Sequence, residues 1–415
     1  MCKSVSPPST VREMKQLDRG AFRTTVQIYF VEFKTRETLI RPILAALKPH
    51  ILKLPKLKSI KTDDRNAKKI YLDPQHFHSA NVEDILRKNG LQECEFRIGD
   101  ELVELNYDNW TAEDIFKAVL PEPSSFSSYS CIGHIAHLNL RENLQPYKMF
   151  IGNDLENVDI LAEVLLDKMP RCKTVINKVD IIENEYRNLK FEHLVGERLY
   201  VTRVRENGHV FDLDFSKVYW NPRLGTEHAR LVSKFAPGDV VFDVFAGVGP
   251  FSIPAAAKRC TVIANDLNSD CIAWLQRNCQ LNKVSVEAHS LDGKKFLMDV
   301  CPKVIASMEE SESAFGQVHV VMNLPATAID FLPSLSGMRS LLGASNSIAQ
   351  HIMFVHCYTF CKADDPIAAA KDVVQEKFSN VPLQSLTVHD VRVVSPFKHM
   401  LCVSFILPAA EELNV

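Results

Sequence analysis

Three short apolar runs in the second half of the chain end in polar residues, and that pattern carries the reading. Val240-Val-Phe-Asp243 opens into Val244-Phe-Ala-Gly247-Val-Gly249-Pro-Phe251, which predicts a buried strand, a tight turn and a helix start. The second run, Thr261-Val-Ile-Ala-Asn265-Asp266-Leu267, places a carboxylate at a strand's C-terminal end. The third, Val318-His-Val-Val-Met322, ends in Asn323-Leu324-Pro325. Strand-like and helix-like segments alternate from Val210 onward, as a doubly wound parallel sheet requires. A strand over 284–289 and a closing pair over 386–394 and 399–407 complete it, while the small and acidic residues of 302–316 predict a loop.

Earlier in the chain, residues 1–115 mix helix-like and strand-like segments at 26–33, 38–47 and 82–88. The Pro- and Ser-rich stretch 120–129 reads as a linker. A middle module over 130–205 follows, with strands at 134–140 and 173–179 around a helix at 158–168. The remainder, 206–415, forms the third module.

Two glycines two apart let the backbone turn sharply and approach a ligand where a Cβ would clash. A glycine turn alone is equally a packing device. Here the third glycine of the dinucleotide fingerprint is absent, because Gly249 is followed by Pro250-Phe251. That leaves few backbone donors for a pyrophosphate and favours a nucleoside over a dinucleotide. Asp266 then suits the hydroxyls of a ribose.

Composition narrows the reading only at its edges. The 415 residues suffice for two or three domains, and 46% hydrophobic with 24% charged residues is ordinary for a globular protein. A formal charge of −3 gives no global sign of nucleic-acid binding, so any such surface is local. The basic residues between Lys53 and Lys69 (Lys56, Lys58, Lys61, Arg65, Lys68) are one candidate, although charge alone favours a solvated face. No apolar run approaches membrane-spanning length, and the N-terminus shows no apolar signal-peptide core. Eleven cysteines lack paired spacing, which reads as free thiols in a reducing compartment rather than a metal site.

Upstream of the glycine turn, Asn221-Pro-Arg223-Leu-Gly-Thr226-Glu227-His228 starts a predicted helix toward Phe235, capped by Thr226 or the turn before it. Glu227 falls in its first turn, where a carboxylate usually complements the helix dipole. Its place just before the first sheet strand also suits the crevice. With His134-Ile-Ala-His-Leu-Asn-Leu-Arg141, Leu166-Asp-Lys168, Thr174-Val-Ile-Asn-Lys178, Tyr186-Arg187, Asn265-Asp266 and Asn323-Leu-Pro325, the segment resembles the archaeal and eukaryotic tRNA (guanine-37-N1)-methyltransferase family from about Gly133 to the C-terminus. The first hundred residues match more loosely, and 152–158 replaces a more apolar family segment.

The resemblance implies an α/β fold: a Rossmann-like class I methyltransferase domain with a doubly wound sheet, preceded by two smaller α+β modules. It implies methyl transfer from S-adenosyl-L-methionine to N1 of guanosine 37 of tRNA. On that reading Glu227 is the general base, Arg187 stabilises charge at O6, and Asn323 reads a base edge beside the donor. His228, Asp243, Gly247, Gly249, Asp266, Leu267, Asp292, Gly293 and Asn323 would border the donor, with Arg223 and Pro325 on the substrate. Asp243 supports the turn or meets the donor's amino group. No metal is required; the expected protein is a monomer without a membrane partner, in cytoplasm and nucleus with the mitochondrial matrix as a further compartment. The competing readings are another Rossmann N-methyltransferase on rRNA or a protein amide, a non-catalytic RNA-binding scaffold and, last, a dinucleotide oxidoreductase.

Overall fold

The computed structural model describes residues 5–34, 37–62, 67–74, 82–91, 94–120, 129–138, 160–181, 189–310, 315–342, 352–395 and 397–408. The chain divides into two compact units. One comprises Met1–Tyr129, Ala136–Asn177 and Glu192–Arg198; the other comprises Ser130–Ile135, Lys178–Phe191 and Leu199–Val415.

In the first unit, β1 (Thr24–Phe33) is the central strand of an antiparallel sheet that also holds β2 (Ile60–Thr62), β3 (Lys68–Tyr71) and β4 (Phe96–Leu105), in the order β2-β3-β1-β4. Val31 and Phe33 pack with Ile43 and Leu47 of the helix Glu37–Leu47 and Leu86 of the helix Val82–Lys88. A second core gathers around Phe22, Trp110, Ile115 and Phe116, and the Trp110 indole donates to the Phe22 carbonyl at 3.2 Å. That core extends to Leu138 of β6 (Ile135–Leu138), Leu161 and Leu165 of the helix Ile160–Lys168, Val175 of β7 (Thr174–Ile181) and Leu194 of β8 (Leu189–Gly196). The parts of the expected module 130–205 that fall in this unit therefore share an apolar core with residues of the expected module 1–115. Strand β5 (Tyr129–Ile132) precedes β6 in the chain.

The second unit departs from the expected start of the parallel sheet. β9 (Val201–Glu206) and β10 (His209–Asp214) form an antiparallel hairpin of their own, and the parallel strands begin only at Val240. Asn207 and Gly208 hold φ of 48° and 83°, and this two-residue loop of positive φ joins strands only as a tight antiparallel hairpin.

The main sheet has seven strands in the order β13-β12-β11-β14-β15-β17-β16. They are β11 (Val240–Asp243), β12 (Thr261–Asn265), β13 (Glu287–His289), β14 (Val318–Met322), β15 (Met353–Lys362), β16 (Thr387–Ser395) and β17 (Lys398–Ile406). The first five run parallel and β17 is inserted antiparallel beside β15, as the closing pair predicts. Both faces are covered, one cluster taking Val240 and Phe242 and the opposite one taking Val241. The progression reverses between β11 and β14, the switch point at which open α/β sheets leave a crevice.

The loop expected over 302–316 is instead helical through the helix Cys301–Glu310. Cys301, Pro302 and Ile305 are buried, with Val304 and Met308 packed on the same cluster, so an apolar stripe outweighs the loop-like composition. The run is continuous from Gly293, and Pro302 directly follows its π-helical turn Phe296–Val300, where the ladder is already widened and the Cys301 N–H bonds the Phe296 carbonyl. The strand expected over 284–289 is confined to Glu287–His289.

Candidate active site

The glycine turn follows β11 and is tied to the end of β12. Gly247 (φ 54°) donates its N–H to Asp266 Oδ2 at 2.8 Å, and Asn268 N donates to Oδ1 at 2.9 Å. A Cβ on Gly247 would meet nothing within 4 Å, so its open side faces the crevice. Gly249 (φ 96°) serves packing: a Cβ there would lie 2.5 Å from Leu275 and 2.9 Å from Ile253. Burial pushes the Asp266 carboxyl up, opposed by the Asn268 and Gly247 donors. Leu267 lies half-buried next to it.

Buried Asn265 clamps three strand ends. Its amide donates to the carbonyls of Val244 and Leu291, at 3.1 and 2.9 Å, and accepts from Leu291 N at 2.9 Å. This draws Asp292 and Gly293 alongside the turn. Asp292 caps the short helix Gly293–Lys295 through Lys294 N at 2.9 Å. A Cβ on Gly293 would come within 2.9 Å of Phe245 and 3.0 Å of Phe331, whose rings meet edge to face at 5.1 Å. That aromatic pair is a wall that the sequence reading overlooked, although Phe245 stands inside the quoted glycine motif.

Two acceptors at the switch point lack partners among the described residues: Asp243 Oδ1 at the end of β11 and Asn323 Oδ1 just past β14. Asp243 is fully buried; Ser252 Oγ donates to its other oxygen at 2.6 Å. Burial, with Asp266 adding repulsion, pushes its carboxyl up to about 7. Pro325 is fixed through its carbonyl, which accepts from Phe360 N at 3.0 Å.

The helix Gly225–Ser233 presents Glu227 and His228, both buried, and Asn221 rather than Thr226 caps the turn leading into it, accepting from Arg223 N at 3.1 Å. Arg223 itself is exposed. The Glu227 carboxylate does not cap the helix. Arg230 grips it with two bonds of 2.6 Å, Tyr358 OH donates to Oε1 at 2.6 Å, and His389 Nε2 stands 3.4 Å from Oε2. His228 Nδ1 lies 2.6 Å from Glu206 Oε1, and its ring meets Phe251 edge-on at 4.7 Å. Phe251 also lies 6.0 Å from Tyr358, so one aromatic chain links Glu227 to the glycine turn.

A carboxylate offers about four lone-pair positions. Three are taken by short bonds, and His389 stands 3.4 Å from Oε2 without bonding it, its side chain 46% exposed on a sheet-edge strand. Arg187, expected to stabilise charge at O6, lies outside the described residues, as do Tyr186 and 152–158.

In the first unit the basic stretch is partly neutralised. Lys56 pairs with Asp108 at 2.7 Å, Lys69 with Glu101 at 2.8 Å, and Lys61 reaches the Tyr71 hydroxyl at 2.5 Å. Lys53 and Lys58 are exposed, and Arg65 lies outside the described residues. Among the described residues no group of three or more His, Cys, Asp or Glu side chains is placed to hold a metal ion, and no helix is long and apolar enough to cross a membrane.

Known proteins resemble the whole of this arrangement. The family model of the TRM5/TYW2 methyltransferase domain matches residues 202–379, and that of the TYW2 N-terminal domain matches residues 112–199. The tRNA (guanine(37)-N(1))-methyltransferase of Mus musculus is 44% identical over 98% of this chain and 79% of its own length. Those of Homo sapiens and Drosophila melanogaster are 42% and 39% identical, over 98% and 97% of this chain and 78% and 87% of theirs. Among solved structures, wild-type Trm5b from Pyrococcus abyssi superposes with a TM-score of 0.60 at 24% identity, covering 91% of this chain and 98% of that one, a likeness of fold.

Proposed function

The chain belongs to the TRM5/TYW2 methyltransferase family, and from that premise we propose that it methylates N1 of guanosine 37 in tRNA, with S-adenosyl-L-methionine as methyl donor. The observation that carries the reading is the switch point, where the strand-end acceptors Asp243 Oδ1 and Asn323 Oδ1 have no partner among the described residues and the turn after β11 leaves open space at Gly247. These groups fit the donor: a buried carboxyl oxygen for a cationic amine, Asp266 for ribose hydroxyls, and the Phe245–Phe331 wall with Asp292 and Gly293 for an adenine. When bound, the donor supplies an electrophilic methyl on a sulfonium.

Guanine N1 carries a proton at neutral pH and has no lone pair free for attack. Glu227 removes that proton, and Arg187 meets the negative charge that its loss spreads from N1 onto O6, so that N1 holds the lone pair with which it would take the methyl from the sulfonium and discharge that anion. Tyr358 and Arg230 hold the carboxylate in place, while His389 yields to the incoming base. Asn323 positions the base edge, with Arg223 and Pro325 on the substrate side. Nothing in these steps calls for a metal.

The protein acts as a monomer, the modules before the sheet gripping the tRNA at a distance from the reaction. It works in a reducing compartment containing tRNA, the cytoplasm and nucleus and also the mitochondrial matrix.

The test is nucleoside mass spectrometry on unmodified tRNA transcripts incubated with enzyme and donor. 1-Methylguanosine should form on transcripts with guanosine 37 and vanish when that base is changed to adenosine. Methylation of an rRNA fragment or a protein amide with these tRNAs untouched would overturn the reading.

A further inference from the structure

The sheet is taller on one side of the crevice. Met322, the last residue of β14, pairs with Cys357, whereas β15 runs on to Lys362 and pairs there with Lys398 of β17. Five further residues at ~3.3 Å each raise β15 and β17 roughly 16 Å beyond the end of β14. The β16–β17 turn therefore stands at the same end of the sheet as Asn323. The connection runs through backbone and side chain: the Phe360 N–H donates to the Pro325 carbonyl, and the Lys398 ammonium sits 4.6 Å from the Phe360 ring centroid.

At the tip of this wall, Phe397 is 66% exposed and holds a left-handed φ of 62°. A large aromatic side chain is costly there twice over: it strains the backbone and leaves apolar area in water. Turn formation alone would favour glycine or asparagine at that φ. Val393, 58% exposed on the edge strand, lies close by in the chain. The charge at this end of the sheet is mixed. Lys362, Arg392 and Lys398 have no carboxylate within 4 Å among the described residues, while of the acidic residues in the same turns Asp364 is exposed, Asp365 caps the following helix and Asp390 is held by His399 at 2.7 Å. An exposed ring followed in the chain by a lysine that no carboxylate pairs is what a base-stacking surface offers, the ring to the base and the ammonium to its phosphate.

We propose that Phe397 is a stacking platform for an anticodon-loop nucleobase flanking the target, with Lys398 and Arg392 meeting the adjoining phosphates. The proposal rests on the tRNA reading above and adds to it how the neighbouring base is held once the target is extruded. Stacking replaces part of what extrusion costs and fixes the loop's register over Asn323.

The experiment uses the full chain and tRNA transcripts carrying 2-aminopurine at position 36 or 38. Wild-type binding should quench the probe at one of these positions. Phe397→Ala should abolish the quenching and lower kcat/KM for methylation by roughly 5- to 150-fold, with S-adenosylhomocysteine affinity unchanged. Phe397→Trp should restore both, and Phe397→Leu, equally apolar but without a π face, should not. Wild-type kcat/KM and quenching in Phe397→Ala would overturn the proposal. Full rescue by leucine would also overturn it and point to an apolar protein partner. Absence of methylation by the wild type, with quenching intact, would sink the activity and leave the stacking site standing.

Discussion

Donor binding is expected to titrate with Asp243. Its carboxyl is fully buried and pushed up to about 7, with one oxygen bonded to Ser252 and the other bare. If the donor's α-ammonium occupies that bare oxygen, only the ionised carboxylate binds well, and the apparent Kd is multiplied by one plus the ratio of protonated to ionised Asp243. Taking 7 as the midpoint, that multiplier is ~1.3 at pH 7.5 and ~11 at pH 6.0, an eightfold weakening or ~1.2 kcal/mol. The donor amine stays mostly protonated across this window, so it adds little slope. Calorimetry with S-adenosylhomocysteine at the two pH values should show the loss, and proton release on binding at pH 6.0. Asp243→Asn should bind about 1.5–3 kcal/mol more weakly at pH 7.5 and lose the slope. Adenosine, which lacks the amino-acid arm, should bind equally at both. An S-adenosylhomocysteine affinity that does not move between pH 7.5 and 6.0 would refute the assignment, as would a slope that survives in the Asn variant.

Three further expectations follow from the same structure. Glu227→Gln should slow single-turnover methylation roughly 10²–10⁴-fold, and because it strips half-buried Arg230 of its partner it should also cost about 3–5 kcal/mol of stability by urea titration; a variant that reacts at the wild-type rate would end the general-base role. In the basic stretch, Lys53 and Lys58 are exposed while Lys56 and Lys61 are engaged within the unit, so neutralising Lys53 and Lys58 should lower the salt slope of tRNA binding by about 1.4–1.8, and an unchanged slope in fluorescence anisotropy would make the stretch a solvated face. Burial holds the pKa values of His319 and His356 below the ordinary histidine value, so the unfolded chain takes up protons first and stability falls as pH drops below about 6.5, by up to ~1.4 kcal/mol per pH unit for each ring. The raised Asp243 carboxyl works in the opposite sense over the same range. The histidine effect is therefore read as the difference between wild type and His356→Gln, and equal pH slopes in the two would contradict it.

Much of the crevice was legible because it is local. A strand, a glycine turn and a helix start lie within twelve consecutive residues, 240–251, and each strand-end polar group sits next to its own apolar run. What could not be read were partners brought together by the sheet's order. Tyr358 lies 131 positions from Glu227 and reaches it only because β15 runs next to β14. The hairpin Val201–Asp214 was misread even though Asn207-Gly208 is the strongest short hairpin signal; its second strand was counted into the βα alternation. In the helix Cys301–Glu310, acidic and small residues masked an apolar stripe whose burial only the packed sheet face reveals.

The two buried carboxylates of the crevice differ in a way that separates their roles. Leaving a buried acceptor bare costs about 1–3 kcal/mol, and the fold bears that cost at Asp243 and Asn323, on the two strands that flank the switch point. Such sites gain most from a ligand that brings donors, since binding satisfies a group the protein has already desolvated. Glu227 is built the other way: three bonds of 2.6 Å from Arg230 and Tyr358 hold its carboxylate. A carboxylate so held has its geometry fixed in advance. His389, on the exposed edge strand, stands 3.4 Å from Oε2 without bonding it. If Asp243 and Asn323 receive the donor and Glu227 is the base, the donor site offers bare acceptors before any substrate arrives, whereas the base is held by Arg230 and Tyr358 with His389 as its one loosely placed neighbour among the described residues. A variant lacking that imidazole, His389→Ala, should then change the methylation rate while leaving S-adenosylhomocysteine affinity alone.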